Sequence, residues 1–125
     1  VTRTPTSDPD VFDNVDASRY EIYSGSELAG FAMYSPIAGG RRFIHTEIEP
    51  ARRGNGLAAR LIGAALGDVR SRHMAASPIC PYVVDYLRRH GEYLDLVPKA
   101  ERAKATAPYD RAAGAVSEAA KEGET

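Results

Sequence analysis

Two hydrophobic rhythms run along this chain, and the change between them falls near Pro50. From Arg19 onward the apolar residues recur at every second position. In "SRYEIYSGSELAGFAMYSP", Tyr20 and Ile22 alternate with Arg19, Glu21 and Tyr23; "SGSE" turns the chain, and Leu28 to Tyr34 returns it. That is the pattern of a β-hairpin. "IAGGRRFIHTEIEP" repeats it, with a turn at Gly39-Gly40 and a strand from Arg41 to Glu49. Strict alternation predicts Ile44, Thr46 and Ile48 on one face of that strand, with Phe43, His45, Glu47 and Glu49 on the other. Pro50 has no N–H to give and ends the ladder.

Beyond Pro50 the period lengthens. Leu57, Leu61, Ala65 and Val69 recur every four residues, and Ala58, Ile62 and Leu66 widen the stripe. This predicts an amphipathic helix from about Gly56 to Arg72, with Arg60, Asp68, Arg70 and Arg72 mostly off the apolar face. Ala75 to Cys80 reads as a strand kept short by Pro78. "CPYVVDYLRRHG" reads as a second helix, with Pro81 at its first position and Gly91 beyond its end. "EYLDLVP" suits a last strand or a docked extension. Residues 1–10 are polar and contain two prolines, so they read as a flexible leader before a domain spanning 11–98, with a short strand starting at Val11. Residues 99–125 are rich in Ala, Lys and Glu and read as a mobile or partly helical tail. The order predicts an α+β fold: a mostly antiparallel sheet, a long central helix and a shorter C-terminal helix.

Composition narrows the function. A chain of 125 residues, 43% hydrophobic and 26% charged, suits one soluble domain. Its net charge of -1 provides no global basic field, so no nucleic-acid partner is expected. Arginines nevertheless crowd the middle (Arg41, Arg42, Arg52, Arg53, Arg60, Arg70, Arg72), which suits a small anionic ligand. The single cysteine, Cys80, excludes an internal disulfide and fits a cytoplasmic setting. The start, "VTRTPTSDPD", lacks the apolar core of a signal peptide, and no apolar run is long enough to span a bilayer. Neither a metal nor a membrane is expected.

"HTEIEPARRGNGLAARLIGAAL" leaves a strand, passes through two glycines and enters a helix at once. The first turn of a helix has unpaired N–H groups, and the aligned peptide dipoles favour negative charge there. Gly54 and Gly56 leave that backbone bare, and Arg52 and Arg53 add positive charge. The natural ligand is a phosphate or pyrophosphate. The Gly-Lys-Ser/Thr ending of a P-loop is absent, and the antiparallel context does not suit a dinucleotide βαβ unit.

Arg53, Gly56 and Ala58 in "RGNGLA" match the pattern Gln/Arg-x-x-Gly-x-Gly/Ala. The stretch resembles the pyrophosphate loop of the GNAT superfamily of N-acetyltransferases. The longer segments "HTEIEPARRGNGLAARL" and "PICPYVVDYLRRHGEYLDLV" are similar to the small single-domain GNAT branch that carries a Cys just before its last helix. The resemblance covers Arg19 to Val97. It implies a minimal GNAT-like fold and acetyl-CoA as the cofactor. The strand through Thr46 and Ile48 would line the pantetheine arm. Arg52, Arg53, Gly54, Asn55, Gly56, Leu57 and Ala58 would take the pyrophosphate. Arg52, Arg60 or Arg88 would meet the 3′-phosphate. The helices that shape the acceptor site in larger members are missing, since only a few residues separate Tyr23 from Leu28.

Acetyl transfer to an amine requires a base, a polarised thioester carbonyl and an acid for the departing thiolate. His45 and Glu47 lie two residues apart on the cofactor strand and face the same way; Glu47 is a candidate base, directly or through water, and His45 titrates in a useful range. With Pro81 opening the second helix, Cys80 is its N-cap, where the dipole favours negative charge. Cys80 has three readings: it accepts the acetyl group and passes it on, it touches the thioester end without reacting, or it is an inert buried thiol. By resemblance Tyr82 is a candidate acid, whereas Tyr86 suits core packing. The sequence therefore predicts an acetyl-CoA-dependent N-acetyltransferase acting on a small-molecule or protein amine, monomeric or weakly self-associating. The other reading is a non-catalytic acyl-CoA-binding or sensing module.

Overall fold

The computed structural model describes residues 3–106. Six strands form one sheet in chain order: β1 (Arg3–Pro5), β2 (Val11–Asn14), β3 (Arg19–Ser24), β4 (Glu27–Ile37), β5 (Gly40–Ile48) and β6 (Ala75–Pro78). Neighbours are antiparallel except β5 and β6, which run parallel because helix α1 (Leu57–Ser71) carries the chain back between them. Helix α2 (Pro81–Arg89) follows β6, and a short α3 (Arg102–Thr106) packs against α2. The α+β class, the long helix and the shorter later helix are as the sequence predicts.

The hairpin between β3 and β4 turns at Gly25, and the next between β4 and β5 turns at Gly39, both at positive φ. The leader is less separate than its polarity suggests. Arg3–Pro5 pairs with Phe12–Asn14, so backbone hydrogen bonding adds a strand that no apolar pattern marks. The stretch after α2 makes a 3-10 turn (Gly91–Leu96) instead of a last strand, and it docks through buried Leu96 and Val97. The tail begins with a 3-10 turn at Lys99–Glu101 and then α3, with Ala105 buried; the rest of the expected tail lies outside the described residues.

The facing of β5 departs from strict alternation. Met33 pairs with His45 but Tyr34 pairs with Phe43, so Ile44 is an extra residue, a β-bulge. The bulge turns Phe43 inward beside Thr46 and Ile48, and it leaves Ile44 40% exposed. Ile44 therefore does not share a face with Thr46 and Ile48, nor Phe43 with His45 and Glu47.

The core lies between the inner face of the sheet and the helices. Tyr20, Ile22, Ala32, Tyr34 and Phe43 meet Leu61, Ala65, Leu66 and Val69 of α1 and Val83 and Leu87 of α2. Two acids are buried where the pattern reads as polar and outward. Asp68 on α1 accepts hydrogen bonds from Tyr20 Oη at 2.7 Å and Arg72 Nε at 2.8 Å. Glu21, only 1% exposed, accepts from Arg19 Nε, Asn14 Nδ2 and Tyr23 Oη. Each buried carboxylate is offset by donors, on both oxygens of Glu21 and on Oδ2 of Asp68. Asp13 completes the set by accepting from Tyr34 Oη and from Arg41, whose guanidinium lies against the Tyr34 ring.

Candidate functional site

The site begins where β5 and β6 part. Their ladder ends at the pair Phe43 and Pro78. The N–H groups of both Ile79 and Cys80 converge on the Phe43 carbonyl, at 3.0 and 2.9 Å, and the chain then turns into α2. Downstream of Phe43, β5 has no neighbour on that side among the described residues. Glu49 N–H donates to Ala29 O of β4, whereas Ile48 O accepts from Arg53 Nε at 3.1 Å. Because backbone polar groups alternate along a strand, the N–H and C=O of Thr46 and Ile48 face the open edge. An extended polar ligand can pair with them as another strand would.

The open edge leads directly to the glycine corner. After the one-turn 3-10 helix Pro50–Arg52, Gly54 and Gly56 adopt φ of 86° and 75°, and Gly56 is the N-cap of α1. A Cβ at either glycine would meet no atom within 4 Å, so the residues are needed for their left-handed backbone and the space around them is free. Arg60 N–H is the first of the helix to find a carbonyl, Gly56 O at 3.1 Å. Among the described residues, the N–H groups from Gly54 to Ala59 have no hydrogen-bond acceptor. Such a run of bare donors at the positive end of a 15-residue helix is an anion site in form.

The surrounding arginines are not equivalent. Arg52 is tied to Glu49 at 2.6 Å and to Glu27, and the hydrogen bond to Glu49 holds its pKa above the ordinary arginine value. Arg60 is held by Asp10 and Asp8, both at 2.9 Å, with the same effect on its pKa. Arg53 makes no ion pair among the described residues; only its Nε is engaged, with the Ile48 carbonyl. Asn55 braces the corner by donating to Arg52 O. Leu57 and Ala58 are half-buried in the first turn. The neutralising acids Asp8, Asp10 and Glu27 were missed by the sequence reading. The acidic leader was the one available signal, and it points to Arg60 only once β1 and β2 have brought residues 8–10 onto α1.

The predicted catalytic residues divide into two groups. Cys80 is the N-cap of α2 and is 2% exposed. Its Sγ donates to Thr46 Oγ1 at 3.3 Å and makes no capping bond, so the thiol sits at the root of the open edge. His45 and Glu47 bond to each other, Nε2 to Oε1 at 3.2 Å, with both side chains more than half exposed. They lie on the outer face of β5, opposite Thr46 and Cys80. Tyr82 is 55% exposed at the start of α2. Tyr86 is half-buried against the core, its hydroxyl so close to Gly63 that a Cβ there would stand 2.6 Å away. The structure thus joins Cys80 to Thr46 and His45 to Glu47 without merging the pairs. No group able to hold a metal occurs among the described residues, and no helix there is long and apolar enough to cross a membrane.

An open strand edge and a bare helix N-terminus after an Arg-x-Gly-x-Gly loop form one contiguous surface, suited in shape and polarity to an extended anionic ligand, on an α+β scaffold. Residues 19–96 match the family model described as GCN5-related N-acetyl-transferase. The chain belongs to this family, whose members carry out acetyl transfer and generally use acetyl-CoA. A search of curated proteins gives no match.

Proposed function

We propose that this protein transfers an acetyl group from acetyl-CoA to an amine, small-molecule or protein-borne, with the thioester held near Cys80. One observation carries this reading: a track of backbone donors and acceptors that the sheet and helix ladders leave free. It runs from the Gly54–Ala59 N–H groups, past Arg53, along the free edge of β5 at Ile48 and Thr46, to the Cys80 thiol. A pyrophosphate fits the first part, an amide-bearing arm the second and a thioester the third.

Two transfer routes suit this placement. In the direct route, the amine attacks the thioester carbonyl, the C–N bond forms and the C–S bond breaks, and the amine proton passes through water to Glu47 and then to the CoA sulfur, which leaves as the thiol. In the relayed route, Cys80 attacks first: a new S–C bond forms, the CoA–acyl bond breaks and the Cys80 proton passes to the CoA sulfur. The amine then attacks the acyl-cysteine, and the thiol is restored. The exposed Ile44, Ile79 and Tyr82 give the acceptor an apolar approach.

The separation of the His45–Glu47 pair from Cys80 favours one competing reading, a module that binds acyl-CoA without turnover. Intact mass after incubation with acetyl-CoA separates the three. An acetyl-sized gain that survives denaturation and disappears in Cys80→Ala supports the relay. A CoA-sized adduct seen only under native conditions, with amine-dependent release of free CoA, supports direct transfer. The same adduct without turnover supports the binding module. Neither adduct on the folded protein removes the acetyl-CoA reading.

A further inference from the structure

The helices pack on the inner face of the sheet, and the outer face carries a regular set of side chains of its own. The register lays them out in two rows across the strands. Arg3, Asn14, Arg19, Met33 and His45 are successive partners in one row; Phe12, Glu21, Phe31 and Glu47 are successive partners in the next. Partners on adjacent strands stand side by side on one face. The rows therefore hold a basic cluster at the β1–β3 end and the His45–Glu47 pair at the β5 end.

The basic cluster is organised around Glu21, which is buried although it points away from the helices. The groups that meet it bury it: Arg19 Nε at 2.7 Å, Arg3 Nε at 3.4 Å, Asn14 Nδ2 at 3.1 Å and Tyr23 Oη at 2.7 Å. Each guanidinium also lies over a ring, Arg3 at 5.1 Å from the Tyr23 centroid and Arg19 at 4.6 Å from that of Phe31. Carboxylate and rings together hold the two guanidiniums in place. Two cations share one anion, so the cluster keeps a surplus positive charge. The hydrogen bond from Arg19 to Glu21 uses Nε, so the Nη donors are not spent on it. Phe31 links this end to the other, with its ring 6.2 Å from His45 and its strand partner Glu47 beside it.

The face is thus polarised, basic at one end and carrying an exposed carboxylate at the other. It complements a segment with an acid at one end and an amine at the other. A sheet face is broad, whereas small ligands take concave pockets. Its Phe, Tyr, Met and Arg side chains are the types enriched at protein interfaces. We propose that the outer face docks an acidic segment of a partner protein and presents a lysine of that segment at Glu47. Arg19 and His45 are two strands apart, about 10 Å, so the acid lies roughly two to three extended residues from the lysine. The acceptor role rests on the acetyl-transfer reading above; the docking does not require the cofactor.

The test is NMR titration of the isotope-labelled full chain, without acetyl-CoA, with two end-blocked peptides: Glu-Glu-Ala-Lys-Ala-Glu-Glu and its counterpart with Gln for every Glu. The acidic peptide should bind about fivefold more tightly at low salt, the scale of one exposed, well-aligned arginine–carboxylate pair. It should shift the amides of Arg19, Phe31 and Glu47. Arg3→Gln, which leaves Glu21 bonded to Arg19, should reduce the preference. Arg19→Gln combined with Glu21→Gln, which strands no buried carboxylate, should abolish it; dispersed amide spectra identify the folded variants. Equal affinity for the two peptides, shifts confined to the Gly54–Ala59 corner, or a preference unchanged in the folded variants would overturn the docking face. Each of those results leaves the acetyl-CoA reading standing, which intact mass tests separately. The acidic preference on a protein that forms no acetyl-CoA adduct would overturn the acceptor role and keep the docking face.

Discussion

Cys80 Sγ stands 3.3 Å from Thr46 Oγ1, joining the first residue of the α2 turn to the strand from which β6 has just diverged. The contact fixes where the open edge of β5 ends. A thiol is a weak donor, so the bond contributes position more than energy. Cys80→Ala is expected to cost about 1 kcal/mol of stability and to abolish any denaturation-resistant acetyl adduct. Thr46→Val keeps the shape and removes the acceptor, and it should change stability by under ~1 kcal/mol. Urea unfolding and intact mass on both variants check this. Loss of folding in Thr46→Val would show the contact to be a structural bond of unexpected weight.

Gly56 caps α1 at φ 75° with no atom near its missing side chain. Gly56→Ala is therefore expected to cost roughly 1–2 kcal/mol through backbone conformation alone. Gly56→Asn should cost less, because Asn tolerates the left-handed region. Urea midpoints of the two variants give the comparison; equal midpoints would mean that the corner relaxes to another conformation.

Arg41 reaches Asp13 at 2.6 Å beneath the sheet, with Asp13 fully buried and Arg41 nearly so. The same guanidinium donates to Tyr20 Oη at 2.8 Å. Removing one partner strands a buried charge, so Arg41→Met should cost about 3–5 kcal/mol. Adding Asp13→Asn should recover part of that loss. A double-mutant cycle by chemical denaturation measures the coupling, and strict additivity would contradict it.

Glu21 supplies the acid limb of stability. Burial by itself pushes its carboxyl up, but hydrogen bonds from Tyr23, Arg19 and Asn14 together bring it below its ordinary 4.5. The folded state thus prefers the charged form. The resulting stabilisation is complete above about 4.5 and fades as pH falls through the lower folded value. Asp95 shifts the same way, chiefly through its hydrogen bond with Arg70. Unfolding free energy measured from pH 7 to pH 3 should decline below 4.5, and Glu21→Gln should flatten the decline while lowering stability at pH 7.

Local patterning in the sequence determined the antiparallel hairpins, α1 with its glycine entry, α2 opening at Pro81, and Cys80 as its cap. Periodicity, turn chemistry and capping act over a few residues, so they can be read without knowing what lies across the molecule. Family membership was legible for the same reason, in the contiguous run from His45 to Leu66. Contacts between distant segments decided the rest. The Ile44 bulge, which reverses the facing of Phe43, arises from register against β4. The burial of Asp68 follows from meeting Tyr20, and the pairing of Arg60 from a leader that joins the sheet fifty residues upstream. The separation of Cys80 from Glu47 is the sharpest case: adjacent positions on one strand point to opposite faces, and only the packing of α2 shows which face the thiol joins.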